Sequence, residues 1–501
     1  MSTLRPVIHR KSLTKLNAAL LICTAVGLVL MVITLVMNRS LWLDEAMLVL
    51  SIRERSAFAL LEPLDDHQMA PIGWLLLQKL LFETFTQTDW SFRLLSLAAA
   101  AGSILLWRPV FTAVSRSEIT SRIATAAFAL NYFVLFYSNE AKPYATDMAS
   151  VSIILFFTLR WYESDNRRSL VCLGIAGILL PWFSFAAPFA LAGSGMFLVM
   201  QRRYQRRWKL LFYIALSWMF SFVMYYFLFL AGHPAQAYMS EYWQSGFMPL
   251  NPFTPAFIQF WAELFRMFSG TMIPFGPAWP LAALFLAAGV VYMIRRIHFR
   301  FTALLFPVVV HLVVSAFHRY PFQHRLVLYA VPVLTLVFVF GVRQLWSMAP
   351  RVVRLPQLLI LPVFLFFGPL AAKWPLSREE IRPAVAALAS SIKPGHSVYV
   401  YYGAVPSFRF YAQKHPEFEQ VKLYAGTESR ENPEAYYGVI PSLPDTTWLI
   451  FSHVHPLNSP DNNERTAFLG RLTSAAFEIS STQTFDHVWM YRAIRRTQHQ
   501  L

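Results

Sequence analysis

Residues 16–50 read LNAALLICTAVGLVLMVITLVMNRSLWLDEAMLVL. The first part, 16–38, carries no charge and is long enough for one membrane-crossing helix, which takes about 20 residues at about 1.5 Å each. It is too long for the apolar core of a cleaved signal and no small-residue cleavage site follows it, so a retained span is expected. Comparable uncharged runs recur at 169–201, 210–240, 267–294, 301–318 and 355–372. Shorter runs at 94–107, 123–139, 148–159 and 326–342 can also cross if their terminal arginines snorkel to the headgroups. The run 169–201 is too long for one helix and contains Pro181 and Pro188, so it reads as two helices with a tight turn near 181–184. A polytopic α-helical membrane protein is the expected fold class.

Composition agrees. Of 501 residues, 56% are hydrophobic and 14% charged, against about 25% charged in an ordinary soluble domain. Disorder, collagen and coiled coil are excluded by the apolar content and the missing repeats. Cys23 and Cys172 both sit in apolar runs and make no disulfide framework. The net charge of +16 would suggest nucleic acid in a soluble chain, but its distribution reads as topology. The segment 69–86 is apolar yet holds Lys79 and Glu83. If it lies flat in the interface, eleven spans follow: 16–38, 90–110, 121–139, 143–161, 169–181, 183–201, 209–230, 278–295, 300–317, 323–343 and 355–372. The inside loops then collect 21 basic residues, including Arg5, Arg202, Arg203, Arg206, Arg351 and Arg354, against Glu118, Glu163 and Asp165. This is the positive-inside pattern with the N-terminus cytoplasmic, and it leaves no reason to expect a nucleic-acid partner. From 375 onward the composition turns polar. SREEIRPAVAALASSI has Ile381, Val385, Leu388 and Ile392 at helical spacing, KPGHSVYVYYG, QVKLYAG, TTWLIFSH and HVWMYRAI read as strands, and ERTAFLGRLTSAAFEIS reads as a helix. The expected organisation is a transmembrane body, 1–374, and a C-terminal α/β domain with a largely parallel sheet, 375–501, outside the membrane.

Acids near span ends are costly and therefore informative. Asp44 and Glu45 lie about six residues past the first span, where one carboxylate can raise the other's pKa and make a general base; the plainer alternative is that Asp44 caps a helix through AMLVLSIRER. His67, beside Asp65 and Asp66, can hold a divalent metal or receive a phosphate, or the acids can simply serve the next helix N-terminus. The loop SNEAKPYATDM brings Glu140, Lys142, Tyr144 and Asp147 to one span end. Lys142 either contacts an anionic ligand or pairs with Glu140. AFHRYPFQHRLVLY places Arg319 and Arg325 outside, against the charge rule, and a phosphate is the natural counter-ion; pairing with loop acids is the alternative. Tyr238, Tyr242, Trp243, Phe247 and Phe253 in the loop 231–277 either cover a ligand or form an interfacial belt. His311, inside a span, reads as a hydrogen-bonded core residue.

WLDEA, HQMAPIGWLLL, SFRLLSLAAAAGS and NEAKPYATD, in that order over roughly 40–150, resemble the GT-C membrane glycosyltransferases. The likeness is to the family 39 type, with protein O-mannosyltransferases, the lipid A aminoarabinose transferase and bacterial relatives carrying an RgtA/B/C/D-like (PMT_2) domain. Two departures stand out: Met69-Ala70-Pro71 where the family often has Pro-Pro, and Lys142 where it usually has Arg, which keeps the charge but loses the bidentate fork. The resemblance implies inverting transfer of a hexosyl or pentosyl group from a polyprenyl-phosphate donor to a lipid, glycan or protein acceptor. It places the reaction at the outer face of the cytoplasmic (inner) membrane. It implies Asp44 as base or acceptor-orienting group, Glu45 as its neighbour, Glu140 as second-loop acid and Lys142 as phosphate contact, with metal dependence left open. Arg319, Arg325 and His67 join as phosphate-binding candidates from the loop reading, with Tyr144 and Asp147 in support. Two other classes compete. A transporter or flippase for a lipid-linked sugar would show related halves and mid-span charges. A scaffold built on the tail domain would leave the outward arginines unexplained.

A reporter fused between residues 85 and 90 is expected to register outside the cytoplasm; a cytoplasmic signal would reverse every later loop.

Overall fold

The computed structural model describes residues 10–85, 88–201, 207–296, 299–348, 361–374, 376–428, 434–457 and 461–496. Arg5, Arg202, Arg203, Arg206, Arg351 and Arg354 of the inside set, and the start of the expected 355–372 span, lie outside the described residues. In chain order the helices are α1 (Arg10–Met37), α2 (Leu43–Glu54), α3 (Ile72–Thr84), α4 (Ser91–Ser115), α5 (Glu118–Ala129), α6 (Tyr132–Tyr137), α7 (Tyr144–Ser164), α8 (Arg167–Leu179), α9 (Ala187–Val199) and α10 (Trp208–Tyr225). They continue as α11 (Gln236–Tyr242), α12 (Pro255–Arg266), α13 (Trp279–Arg296), α14 (Phe299–Ala316), α15 (Val331–Met348), α16 (Leu361–Ala372), α17 (Ile381–Ser391), α18 (Val405–Ala412), α19 (Glu434–Tyr437) and α20 (Glu464–Ser474). The strands are β1 (Ser397–Val400), β2 (Lys422–Ala425), β3 (Thr446–Ser452), β4 (Phe477–Phe485) and β5 (Val488–Arg495). Two compact units result: Met1–Val36 with Ser56–Trp374, and Met37–Arg55 with Pro375–Leu501.

The first unit is a helical bundle. Six stretches among the described residues are long and apolar enough to cross a membrane: Thr14–Met37, Ser91–Ser115, Trp208–Leu230, Gly276–Arg296, Phe299–Ala316 and His324–Met348. The remaining helices at expected span positions are shorter or less apolar. The expected 121–139 span is two helices, because Asn131 ends α5 and caps α6, its Oδ1 accepting from Phe133 N at 2.8 Å and Val134 N at 3.2 Å. The 169–201 run divides as its prolines suggest, with α8 and α9 joined by a turn through Leu180–Trp182. The segment 69–86 forms the 13-residue α3, with Lys79 Nζ 3.4 Å from Glu83 Oε1 at i,i+4 spacing. His311 is fully buried, its Nδ1 2.8 Å from the Tyr329 hydroxyl and its Nε2 3.1 Å from the Pro321 carbonyl. Small residues set the closest packing. A Cβ on Gly289 of α13 would collide with the Val337 carbonyl, and one on Gly341 of α15 with that of Phe285, so the two helices meet backbone to backbone.

The second unit is α/β. Its sheet order is β2-β1-β3-β5-β4; β1 pairs parallel with β2 and β3, whereas β3–β5 and β5–β4 are antiparallel. The sheet is thus mixed rather than largely parallel. The expected helix 464–480 stops at Ser474, and Phe477 onward forms β4, which turns at Asp486–His487 straight into β5. Such a two-residue turn can only join antiparallel strands. Tyr399, Leu449, Phe451, Phe468, Leu472, Phe477 and Tyr491 make the core. Residues 37–55 join this unit through specific bonds. Ser40 Oγ donates to Glu380 Oε2 at 2.8 Å and Leu41 N to the Tyr411 hydroxyl at 2.8 Å. Arg53 donates to the Phe410 carbonyl at 3.2 Å, and Arg409 pairs with Glu54 at 2.8 Å.

Gly341→Val is expected to cost about 1–3 kcal/mol or more through overpacking, read as a melting temperature lowered by several degrees in detergent. Gly102→Ala, with nothing within 4 Å of its Cβ position, should leave it level or slightly raised; equal melting of the two variants would contradict the packing.

Candidate functional site

In the first unit the loop between α6 and α7 is drawn inward. Ser96 of α4 donates through its hydroxyl to the Glu140 carbonyl at 2.6 Å and lies 3.2 Å from the Lys142 carbonyl. Pro143 then opens α7, its carbonyl accepting from Asp147 N at 2.9 Å. Glu140 and Lys142 are consequently buried, at 0% and 5% exposure. Lys142 Nζ donates to Gln68 Oε1 at 2.6 Å. Gln68, itself buried, is held by the turn that follows Asp65: its backbone N–H donates to the Asp65 carbonyl at 3.1 Å and its Nε2 to the Asp66 carbonyl at 3.3 Å.

Gln68 also lines a cavity of about 160 Å³. Its wall is mostly apolar, with Leu60, Leu61, Leu64, Met69, Ile72, Leu75, Phe185, Leu228 and Phe229, and its polar points are Glu62, Gln68, Tyr225 and His233. Burial holds the His233 imidazole below its ordinary pKa, so it is neutral near pH 7. An apolar wall with few polar groups, next to a buried ammonium, suits an amphiphile with an anionic end.

Arg325 forms a second cationic point. Its Nε donates to the Tyr144 hydroxyl at 2.9 Å, and its guanidinium lies 5.7 Å from the Tyr144 ring and 5.3 Å from that of Trp243. Both distances fit cation–π contact. Tyr144 directly follows the Lys142–Pro143 pair, so the two cations flank one helix start. Asp147 is buried and structural in its contacts: its Oδ1 accepts from Ser184 Oγ at 2.6 Å and Ala186 N at 3.3 Å, tying α7 to the turn before α9. His67 is exposed, has φ +53°, and stacks on Tyr238 at 4.4 Å. Arg319 is exposed at the end of α14. Of the loop aromatics, Tyr238 and Trp243 face His67 and Arg325, whereas Phe253 is 93% exposed.

Asp44 and Glu45 belong to the second unit, in the first turn of α2, with Glu45 fully buried and Asp44 half-buried. Asp44 does not cap this helix: the N-cap is Trp42, and no side chain caps it. Both carboxylates instead lie where the helix dipole favours negative charge. Sequence reasoning missed Gln68 and Ser96 as partners of the Lys142 loop. Arg93, one turn before Ser96 on the same helix face and 1% exposed, was missed as well; SFRLLS contains it, and a buried arginine at a span start was its available signal. Among the described residues no group of three or more His, Cys, Asp or Glu is placed to hold a metal ion.

No family model matches the sequence. No curated protein matches it either. Among the solved structures that share its architecture are two of one protein. One is ArnT from Cupriavidus metallidurans bound to undecaprenyl phosphate, at 13% identity and TM-score 0.53, over 95% of this chain and 98% of that one. The other is the same protein in its apo state, at 15% identity and TM-score 0.51 with the same coverage. At that identity the likeness is one of fold, and it is the architecture that the motif resemblance anticipates.

Gln68→Leu and Lys142→Met are each expected to destabilise the protein, with a coupling of about 0.5–3 kcal/mol in the double-mutant cycle. Additive melting shifts would show that the bond carries no energy.

Proposed function

We propose that this chain transfers a sugar from a polyprenyl-phosphate donor to an acceptor, with inversion, at the outer face of the cytoplasmic membrane. It would lie there as a multi-pass protein with the N-terminus cytoplasmic and the C-terminal domain extracytoplasmic. The observation that carries the reading is the Lys142–Gln68 bond at the edge of an apolar cavity, in a chain with the fold of a protein solved with undecaprenyl phosphate.

A polyprenyl phosphate is already a good leaving group. The acceptor oxygen forms a bond to the sugar's anomeric carbon as the carbon–oxygen bond to phosphate breaks, and the electron pair leaves with the phosphate. The protein's tasks are to neutralise that growing charge and to take the acceptor's proton. Lys142 and Arg325 supply positive charge for the first task, with Gln68 and Tyr144 fixing their positions; Arg319 and His67 are further phosphate candidates on the surface. For the second, the WLDEA match assigns Asp44 as base, Glu45 as its neighbour and Glu140 as the second-loop acid. Residues such as Ser96 and Asp147 position the loop and the turn rather than touch the reactants. The alternative, a transporter for a lipid-linked sugar, would move the donor intact, without release of polyprenyl phosphate.

In membranes supplied with a polyprenyl-phosphate sugar, Asp44→Asn is expected to lower transfer by about 10²–10⁴-fold, the usual weight of a general base, with donor binding retained. Lys142→Gln should weaken donor binding about tenfold or more. Unchanged transfer in the first variant removes the base assignment, and unchanged donor affinity in the second removes the phosphate role.

A further inference from the structure

In the order β2-β1-β3-β5-β4 the chain leaves β1 toward β2 on one side and leaves β3 toward β4 and β5 on the other. The connections diverge between the carboxyl ends of β1 and β3, the switch point at which open α/β sheets bind ligands. Polar and aromatic side chains gather there. After β1 come Tyr401 and Tyr402; after β3 come His453 and His455. Gly403 lets the two exits approach, since a Cβ there would lie 3.0 Å from both the Ser452 and His453 carbonyls. His453 has φ +52°, in the left-handed region that non-glycine residues adopt uncommonly.

The chemistry of this crevice is specific. His453 Nδ1 donates to Glu379 Oε1 at 2.8 Å, and its ring lies 5.8 Å from the Trp42 indole. The other carboxylate oxygen, Glu379 Oε2, is buried and has no hydrogen-bond partner among the described residues, the residue being only 6% exposed. A buried carboxylate oxygen left in that state costs free energy until something donates to it. Across the crevice Glu464, the first residue of α20, accepts from Tyr402 at 3.0 Å, from Tyr436 at 2.9 Å and from Tyr401. Burial, reinforced by Glu464, raises the Tyr401 and Tyr436 hydroxyls above their ordinary pKa, so both remain donors. The Tyr402 ring runs parallel to Tyr436 at 5.7 Å and to His455 at 6.5 Å.

These groups select a class of ligand. The helix N-terminus that would seat a phosphate already holds the Glu464 carboxylate, and Glu379 adds a second negative charge. A metal lacks its donor set among the described residues. What fits is a neutral ligand with many hydroxyls to donate and an apolar ring face to lay on an aromatic. We propose that the crevice at the carboxyl ends of β1 and β3 is a saccharide subsite, in which Glu379 accepts sugar hydroxyls beside His453 and the half-buried Tyr402 and His455 rings face the sugar. It deepens the transferase reading by naming a saccharide as the recognised part of the acceptor, and it rests on that reading for this role.

The test is saturation-transfer NMR on the full chain in detergent with a panel of lipid-free neutral oligosaccharides, and with sugar phosphates as a second arm. Expected is transfer from aromatic protons to ring C–H protons of at least one neutral oligosaccharide. Glu379→Gln should reduce that signal tenfold or more, Tyr402→Phe should retain it and Lys142→Gln should leave it unchanged. Should Glu379→Gln fail to melt cooperatively, His453→Gln takes its place with the same expectation. The proposal is overturned if no neutral oligosaccharide shows transfer, if Glu379→Gln (or His453→Gln in its place) binds like the unmodified chain, or if only sugar phosphates bind and Lys142→Gln abolishes their signal. Binding is read without turnover, so a silent panel beside intact sugar transfer ends the subsite alone. Saccharide binding beside absent transfer ends the transferase reading instead.

Discussion

A lysine ammonium withdrawn from water must be met by something that accepts its hydrogens, because an unsolvated charge costs several kcal/mol even after relaxation. Lys142 is withdrawn in this way, and much of the first unit's local design answers to it. The Ser96 hydroxyl holds the loop inward by its backbone, Pro143 turns the chain into α7, and the segment before α3 folds so that Gln68 meets the ammonium. The Gln68 amide oxygen accepts one of the ammonium's hydrogens, at 2.6 Å.

Arg325 is treated differently. Its guanidinium lies near two aromatic rings and donates to a phenol, a setting that favours a cation. Lys142 and Arg325 thus stand at one helix start, with Gln68, the partner of Lys142, lining an apolar cavity. Asp147, by contrast, accepts through Oδ1 from Ser184 and Ala186 and so ties α7 to the turn before α9.

The second unit shows how a short segment changes allegiance. WLDEA follows the first apolar run directly, yet residues 37–55 are bonded to Glu380, Arg382, Phe410 and Tyr411, far along the chain. The acids of that segment are therefore placed by the α/β fold rather than by the span that precedes them.

Local rules were enough for much of this. Uncharged length marked the long helices, Pro181 marked the break between α8 and α9, Pro143 the start of α7, and β-branched and aromatic clustering marked β1, β3 and β5. The acids, Lys142 and the arginines at span ends stood out because charge is rare in such a sequence. Where the reading failed, the deciding contact was distant or the local signals competed. Asn131 caps α6 where hydropathy alone ran straight through, and the segment after Ser474 pairs with β5 although its composition suits a helix. Gln68 had no signal of its own, since a glutamine gains meaning only from the ammonium it meets. The amino-acid order by itself determined that this chain is a helical membrane body with an α/β tail, because burial of apolar surface acts on neighbours along the chain. Only tertiary structure decided which polar groups meet, because hydrogen bonds act over about 3 Å between residues such as Gln68 and Lys142 that sequence separates.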